Sequence, residues 1–274
     1  MKVLICVPRV HFYAPLVLRS LFKNHDDINF RLLTTPKVSR NQSFIGGLYD
    51  IISTQGMPYF VSQASLRGFY YLCGLWEVLR GLSVRERRAL SVRDVASAHG
   101  VECWTADSVK TNKVQSRIDS FAPDYLLSLF FNQIIPPEVL EKPEERSINL
   151  HPGFLPEYRG FSPVFWQLLN DEKTVACTLH QLTDRLDAGP VYDELTVPVK
   201  PRDSYFSLYR RLADEGANLL VRFFEDCRGS NKPDFEPQDE SRAVNHPRFD
   251  SDDVREFFRQ GHHFWKYRDF WGIP

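Results

Sequence analysis

The sequence predicts an α/β fold: a mostly parallel, doubly wound sheet with helices on both faces. Two observations carry this. Short apolar runs alternate with helical patterns over the first two-thirds of the chain, at the spacing of strand–helix–strand units. The 274 residues, 43% hydrophobic and 25% charged, are enough to bury a full-sized core and have the make-up of a folded chain.

Taken in order, Lys2–Val7, Asn29–Thr34, Val101–Trp104, Tyr125–Phe131, Ser147–Leu150 and Val175–Leu182 read as strands. Pro15–Lys23, Val92–His99, Thr111–Ser120 and Ser162–Asn170 read as the helices between them. The stretch of about 38–90 is too long for a connection and reads as a helical insertion ending in the cluster Arg85-Glu86-Arg87-Arg88. Its aromatic stripe, Phe69, Tyr70, Tyr71 and Trp76, is expected in the core or a subunit interface, with a membrane-surface helix or a substrate lid as alternatives. After Pro201, Ser204–Cys227 forms an amphipathic helix capped by Asp203. Lys232–His246 is a polar surface excursion, and a last helix starts near Asp252-Asp253. The aromatic cluster from His263 to Trp271 is expected to pack on the main domain, with a dimer contact or a ring-stacking surface as alternatives. The division is thus residues 1–200, a catalytic domain, and 201–274, a helix with an aromatic-rich extension.

The net charge of −1 and pI of about 6.7 disfavour a dedicated nucleic-acid binder, whose affinity comes from phosphate neutralisation by Lys and Arg. Five scattered cysteines with no CxxC pair fit thiols in a reducing compartment, hence a cytoplasmic location. The opening MKVLICVPRV reads as a strand and not as a signal peptide, and no apolar run is long enough to span a membrane. In that compartment the sequon Asn41-Gln42-Ser43 is one by letter only.

The chemistry lies in residues 147–163, SINLHPGFLPEYRGFSP. Asn149 and His151 are two apart, so on a strand their side chains leave the same face. Pro152 ends that strand, placing the pair at its carboxyl end, where open parallel sheets bind ligands. Asp187 follows 36 residues later in Asp184-Arg-Leu-Asp-Ala-Gly-Pro190, about one strand–helix–strand unit on. An amide, an imidazole and a carboxylate without a nucleophile suit direct acyl transfer to an amine. Asn149 can donate to the developing oxyanion, a role worth about 3–4 kcal/mol. His151 can take the amine proton or hydrogen-bond the oxyanion, and Asp187 can orient the imidazole or relay a proton. Neither a GxSxG elbow nor a GxGxxG after the first strand is present, and the histidines lack metal-ligand spacing. His180 is expected to be a structural histidine.

These residues resemble the signature of the folate-dependent formyltransferases: Asn-x-His, a Pro-rich turn, Arg-Gly, then Asp-x-Gly. Here the matching positions are Asn149, His151, Pro152, Leu155, Pro156, Arg159, Gly160, Asp187 and Gly189. The resemblance is strong from about residue 98 to 199, and is closest in type to the sugar N-formyltransferases. It implies a Rossmann-like domain, 10-formyltetrahydrofolate as co-substrate without a metal, and Asn149, His151 and Asp187 as the catalytic set. The pterin is then expected against Phe130, Phe131, Asn132, Gln133 and Ile134, with Asp184 and Leu186 in the loop before the aspartate. Arg9 and His11 of the first loop, with Tyr158, Arg159 and Gly160, are the expected acceptor contacts. Departures are Gly153 where the family commonly has Ser, a first loop (Pro8–Pro15) without the commoner small residues, the 38–90 insertion, and a tail unlike the β-rich domain of the tRNA enzyme.

The expected acceptor is the amine of a nucleotide-linked amino sugar, with a homodimer compatible. Another small amine, methionyl-tRNA, hydrolysis of the formyl donor, or a non-catalytic folate- or nucleotide-binding domain are the alternatives.

Overall fold

The computed structural model describes residues 1–35, 44–83, 91–229 and 233–270. The Asn41 sequon, the Arg85–Arg88 cluster and Trp271 lie outside them.

Seven strands form one sheet in the order β3-β2-β1-β4-β5-β7-β8. β1 (Lys2–Pro8), β2 (Asn29–Thr35), β3 (Glu102–Thr105), β4 (Tyr125–Leu129) and β5 (Arg146–His151) pair in parallel. β7 (Thr174–Gln181) joins β5 antiparallel, and β8 (Val191–Pro198) joins β7 the same way. β6 (Arg159–Gly160) and β9 (Asn245–His246) form a separate short ladder. The sequence reading assigned no strand to β8, and the parallel part of the sheet stops at β5.

The central strands are buried on both faces, which is why they read as continuous apolar runs. Along β1 the side chains alternate between two cores. Val3, Ile5 and Val7 join the larger one with α1 (Ala14–Asn24) and α7 (Tyr205–Asp226). Leu4 and Cys6 join the smaller one with Val114 and Ile118 of α4 (Asn112–Phe121). α3 (Val92–Ala98) carries a reciprocal Ser91–Asp94 capping box. The short α5 (Pro137–Leu140) precedes β5, and α6 (Pro163–Leu169) opens directly after the Arg159-Gly160 segment.

The N-cap of α7 is Ser204, whose hydroxyl accepts from Ser207 N–H. Asp203, the expected cap, instead accepts from Lys200 N–H and pairs with Arg211. The insertion is α2 (Phe44–Leu79), broken at Gly56 two residues before Pro58. It docks on α8 (Ser251–Arg259) and the tail: Tyr59 meets the Phe249 and Phe264 rings edge-on, each at 5.0 Å. Phe264 is buried against Phe165 and Phe257, so this part of the tail packs as the sequence predicts. Tyr267 stays exposed. Within the aromatic stripe of α2, Tyr71 and Trp76 depart from the core expectation at 74% and 57% exposed, while Phe69 and Tyr70 are half-buried, Tyr70 edge-on to Phe12 at 5.6 Å. No helix among the described residues is long and apolar enough to cross a membrane.

Candidate active site

Strand order reverses beside β1, with β2 and β3 to one side and β4 and β5 to the other. In an open α/β sheet the crevice forms at that switch, outside the strands' carboxyl ends. A cavity of about 440 Å³ occupies it. Its walls are the loop after β1 (residues 10–13), the loop after β4 (130–134), the end of β5 (149–152), residues 160–163, and Leu186 with Asp187. α2 contributes Tyr59, Gln63, Leu66 and Arg67; α7 and the tail add Tyr205, Phe206, Tyr209, Arg248 and Phe264.

Among the described residues, five non-glycine positions have positive φ, and Phe130, Ser162 and Asp187 of this cavity are three of them, at +53°, +53° and +49°. A left-handed conformation costs an L-residue about 1–2 kcal/mol, so its concentration around one cavity marks a place where geometry outweighs local preference.

Asn149 and His151 leave the same face of β5, as their spacing predicts, and both line the cavity. The Asn149 amide nitrogen lies 3.1 Å from His180 Nε2, its partner in the antiparallel register. His180 Nδ1 lies 2.9 Å from the Gln181 carbonyl, which can only accept. In the neutral ring Nδ1 therefore carries the proton, Nε2 is bare, and the Asn149 amide must donate to it. The same logic fixes His151. Its Nε2 donates to the Tyr158 carbonyl at 2.7 Å, leaving Nδ1 as a lone pair 3.6 Å from Asp187 Oδ2.

Asp187 is buried, and its Oδ2 accepts from Gly160 N–H at 2.9 Å. Its Oδ1 is 3.6 Å from His180 Nε2. Burial pushes this carboxyl up, but His151, His180 and the Gly160 N–H outweigh it and hold the pKa well below the usual range. Burial likewise dominates His151, lowering its pKa, while Asp187 and the Tyr158 carbonyl pull it back up. The imidazoles exert that pull on Asp187 when protonated; beside a neutral His151 the hydrogen bond Asp187 keeps is the one from Gly160 N–H. Gly160 itself, at φ +99°, could not be replaced, because a Cβ there would sit 2.5 Å from the His246 carbonyl.

The remaining expected site residues divide. Phe130, Phe131, Asn132, Gln133, Ile134, Leu186, His11 and Gly160 line the cavity. Arg9, Tyr158, Arg159 and Asp184 do not. Arg9 and Asp184 are exposed. Tyr158 is buried; its carbonyl holds His151 and its hydroxyl donates to Glu172 at 2.7 Å. Arg159, 2% exposed, is spent on Gln238 and Glu240, and Gln238 in turn donates to the Asp187 and Gly189 carbonyls. It braces the Asp187 loop from behind. His11 stacks on Phe130 at 4.4 Å, and its Nδ1 accepts from the Tyr13 and Ala14 N–H groups at the start of α1. Enclosure and the nearby Arg67 charge push its pKa down to about 3.

His180, expected to be structural, is buried behind Asn149, bonded through both ring nitrogens, and does not line the cavity. Only the antiparallel pairing of β5 and β7, which the local sequence pattern does not reveal, would have placed it there. Ligand spacing gave no metal set in the sequence, yet the fold brings atoms of His151, His180 and Asp187 within 4.8 Å of one another. Within that grouping Asn149 bonds His180 Nε2 and Gly160 N–H bonds Asp187 Oδ2.

Residues 78–224, just over half of the chain, match the formyl transferase family. The chain is 32% identical over 154 residues to the methionyl-tRNA formyltransferase of Macrococcus caseolyticus, covering 56% of this chain and 49% of the relative. It is 34% identical over 145 residues to that of Salinispora tropica, covering 53% and 47%. The chain thus spans about half the length of these relatives. Among solved structures, a sugar N-formyltransferase from a Shewanella species shares the fold at TM-score 0.53 and 19% identity, over 90% of this chain and 76% of that one. Glycinamide ribonucleotide transformylase 1 of Symbiobacterium toebii does so at TM-score 0.55 and 14% identity, over 86% and 94%. The matched segment contains Asn149, His151, His180 and Asp187, and by it this chain belongs to the formyl transferase family.

Proposed function

We propose that the chain moves a formyl group from 10-formyltetrahydrofolate to the amino group of a nucleotide-linked amino sugar. The observation that carries formyl transfer is the meeting of Asn149, His151 and Asp187 on one cavity inside the family-matched segment.

The residues along the β4 loop fit the donor. Ile134 and Leu186 line the cavity yet are 60% and 56% exposed, apolar lips that a flat ring would cover. When bound there, the folate supplies a formyl carbon on a nitrogen leaving group. As the amine nitrogen bonds to that carbon, Asn149 donates its remaining amide N–H to the oxygen as negative charge develops. His151 Nδ1 accepts the amine proton, and the ionised Asp187 stabilises the imidazolium so formed. The carbon–nitrogen bond to the donor then breaks, and the proton held at Nδ1 passes to the departing nitrogen.

The acceptor reading is supported by the cavity's size, which suits a small molecule, and by the rings of Tyr59, Phe161, Tyr205 and Tyr209 along it. Methionyl-tRNA is the second reading, favoured by the relatives at 32–34% identity. One assay separates the two. Tetrahydrofolate release is followed with amino-sugar nucleotides and, separately, with methionyl-tRNA. Turnover with an amino-sugar nucleotide alone is expected. Turnover with tRNA alone transfers the assignment to the second reading, and formate release without any acceptor identifies a hydrolase.

A further inference from the structure

Among the described residues lining the cavity, Arg67 of α2 and Arg248 of the tail are the full cations, and Asp187 is the sole carboxylate. Asp187 is committed to Gly160 N–H and the two histidines. The arginines are committed to no acid: among the described residues neither forms an ion pair. Each lies over an aromatic ring instead, Arg67 over Phe12 at 5.6 Å and Arg248 over Phe161 at 5.0 Å. A guanidinium stacked by its face keeps its N–H edge free for a planar, bidentate anion contact. Other arginines of this chain use that edge on carboxylates, as Arg31 does on Glu102 and Arg228 on Asp27.

The two also act on one point. Burial raises the Tyr59 hydroxyl pKa to about 12, and the charges of Arg67 and Arg248 both pull it back. Arg67 bears on His11 as well, in the loop after β1. Their position along the chain is informative. Residues 67 and 248 lie on either side of the family-matched segment, which carries the reacting groups. Shared chemistry and acceptor choice thus fall on different parts of the sequence.

We infer that Arg67 and Arg248 form an anion subsite that holds the phosphate groups of a nucleotide-linked acceptor in the cavity of Asn149, His151 and Asp187. This deepens the amino-sugar reading and rests on it for the identity of the acceptor. A diphosphate offers the paired oxygens that two guanidinia match, and the insertion then serves as the wall that selects for it.

The experiment uses the whole chain and two probes, a nucleoside diphosphate (UDP and dTDP in turn) and 5-formyltetrahydrofolate, titrated separately by calorimetry. Because charge-assisted contacts are the strong ones, Arg67→Gln and Arg248→Gln should each weaken nucleotide binding about tenfold or more. Folate binding should stay within twofold, and added salt should weaken the wild type more than either variant. Circular dichroism checks that both variants fold, and Arg67→Lys, retaining charge without the fork, should bind with intermediate strength. Loss of folate affinity with nucleotide affinity intact would give the arginines to the donor's carboxylates and overturn the inference. So would nucleotide binding that is absent in the wild type or equal in all variants. Arginine-dependent nucleotide binding without formyl transfer would leave the subsite standing and remove the proposed activity instead.

Discussion

The amide of Asn149 and the imidazole of His180 face each other across the β5–β7 pairing at 3.1 Å, one holding the other's orientation. This makes His180 a positioning residue for the proposed oxyanion donor. His180→Ala frees the amide to rotate, and kcat should fall on the order of tenfold, the scale of one hydrogen bond. His180→Gln, whose side-chain oxygen can accept the same N–H, should recover part of it. Steady-state kinetics check this: kcat moves while the KM of the folate donor does not. Equal rates in wild type, Ala and Gln variants would leave His180 without a positioning role.

Truncating the proposed reacting groups themselves should cost more. Asn149→Ala removes an N–H aimed at developing charge and should lower kcat by about 10²–10³. Donor affinity, measured by titration with 5-formyltetrahydrofolate, should change little. If affinity collapses and the rate constant survives, Asn149 is a binding group.

The pH dependence follows from burial. In the fold His151 titrates below its ordinary value of 6.5, so it remains a free base at pH 7. The acid limb of kcat/KM should therefore lie below pH 6.5. Asp187 raises the His151 pKa, so Asp187→Asn should move the ring's titration to still lower pH. The sign for stability is the same for both groups. Below pH 6.5 the unfolded chain takes up a proton that folded His151 resists, and near pH 3.8 unfolded Asp187 is protonated while the folded carboxyl, held lower, is not. Stability falls with falling pH in both windows. NMR titration of the His151 ring is the direct measurement, and a value at or above 6.5 contradicts the assignment.

Much of this was legible in the chain. β1, β2 and β5 extend at most a residue or two beyond the runs that predicted them, because a strand buried on both faces is apolar throughout. Asn149 and His151 could be placed together because a strand's period of two is local. What was not legible depended on partners far away. The antiparallel register that joins Asn149 to His180 is a tertiary fact, as is the docking of α2 that brings Arg67 to the cavity. Tyr158 and Arg159 misled for the opposite reason. Polar residues beside a catalytic motif resemble ligand contacts, and only burial shows that one carries His151 by its carbonyl while the other braces the Asp187 loop.

Gly153 gives a last prediction, where this chain departs from the family's serine. A Cβ at 153 would stand 2.6 Å from the Pro163 Cβ and 3.0 Å from His151 Nε2, the nitrogen that donates to Tyr158. Those neighbours cannot yield freely, since Pro163 begins α6 and His151 is pinned by its carbonyl. Gly153→Ser should therefore destabilise the fold by about 1–3 kcal/mol, the cost of overpacking, and disturb the imidazole. The clash is mainly with one atom, so Pro163→Gly, which deletes that Cβ, should restore part of the loss in the double variant. Thermal melts of the two single variants and the double one complete the cycle. Additive losses would show that the two positions do not press on each other, and that the glycine is there for another reason.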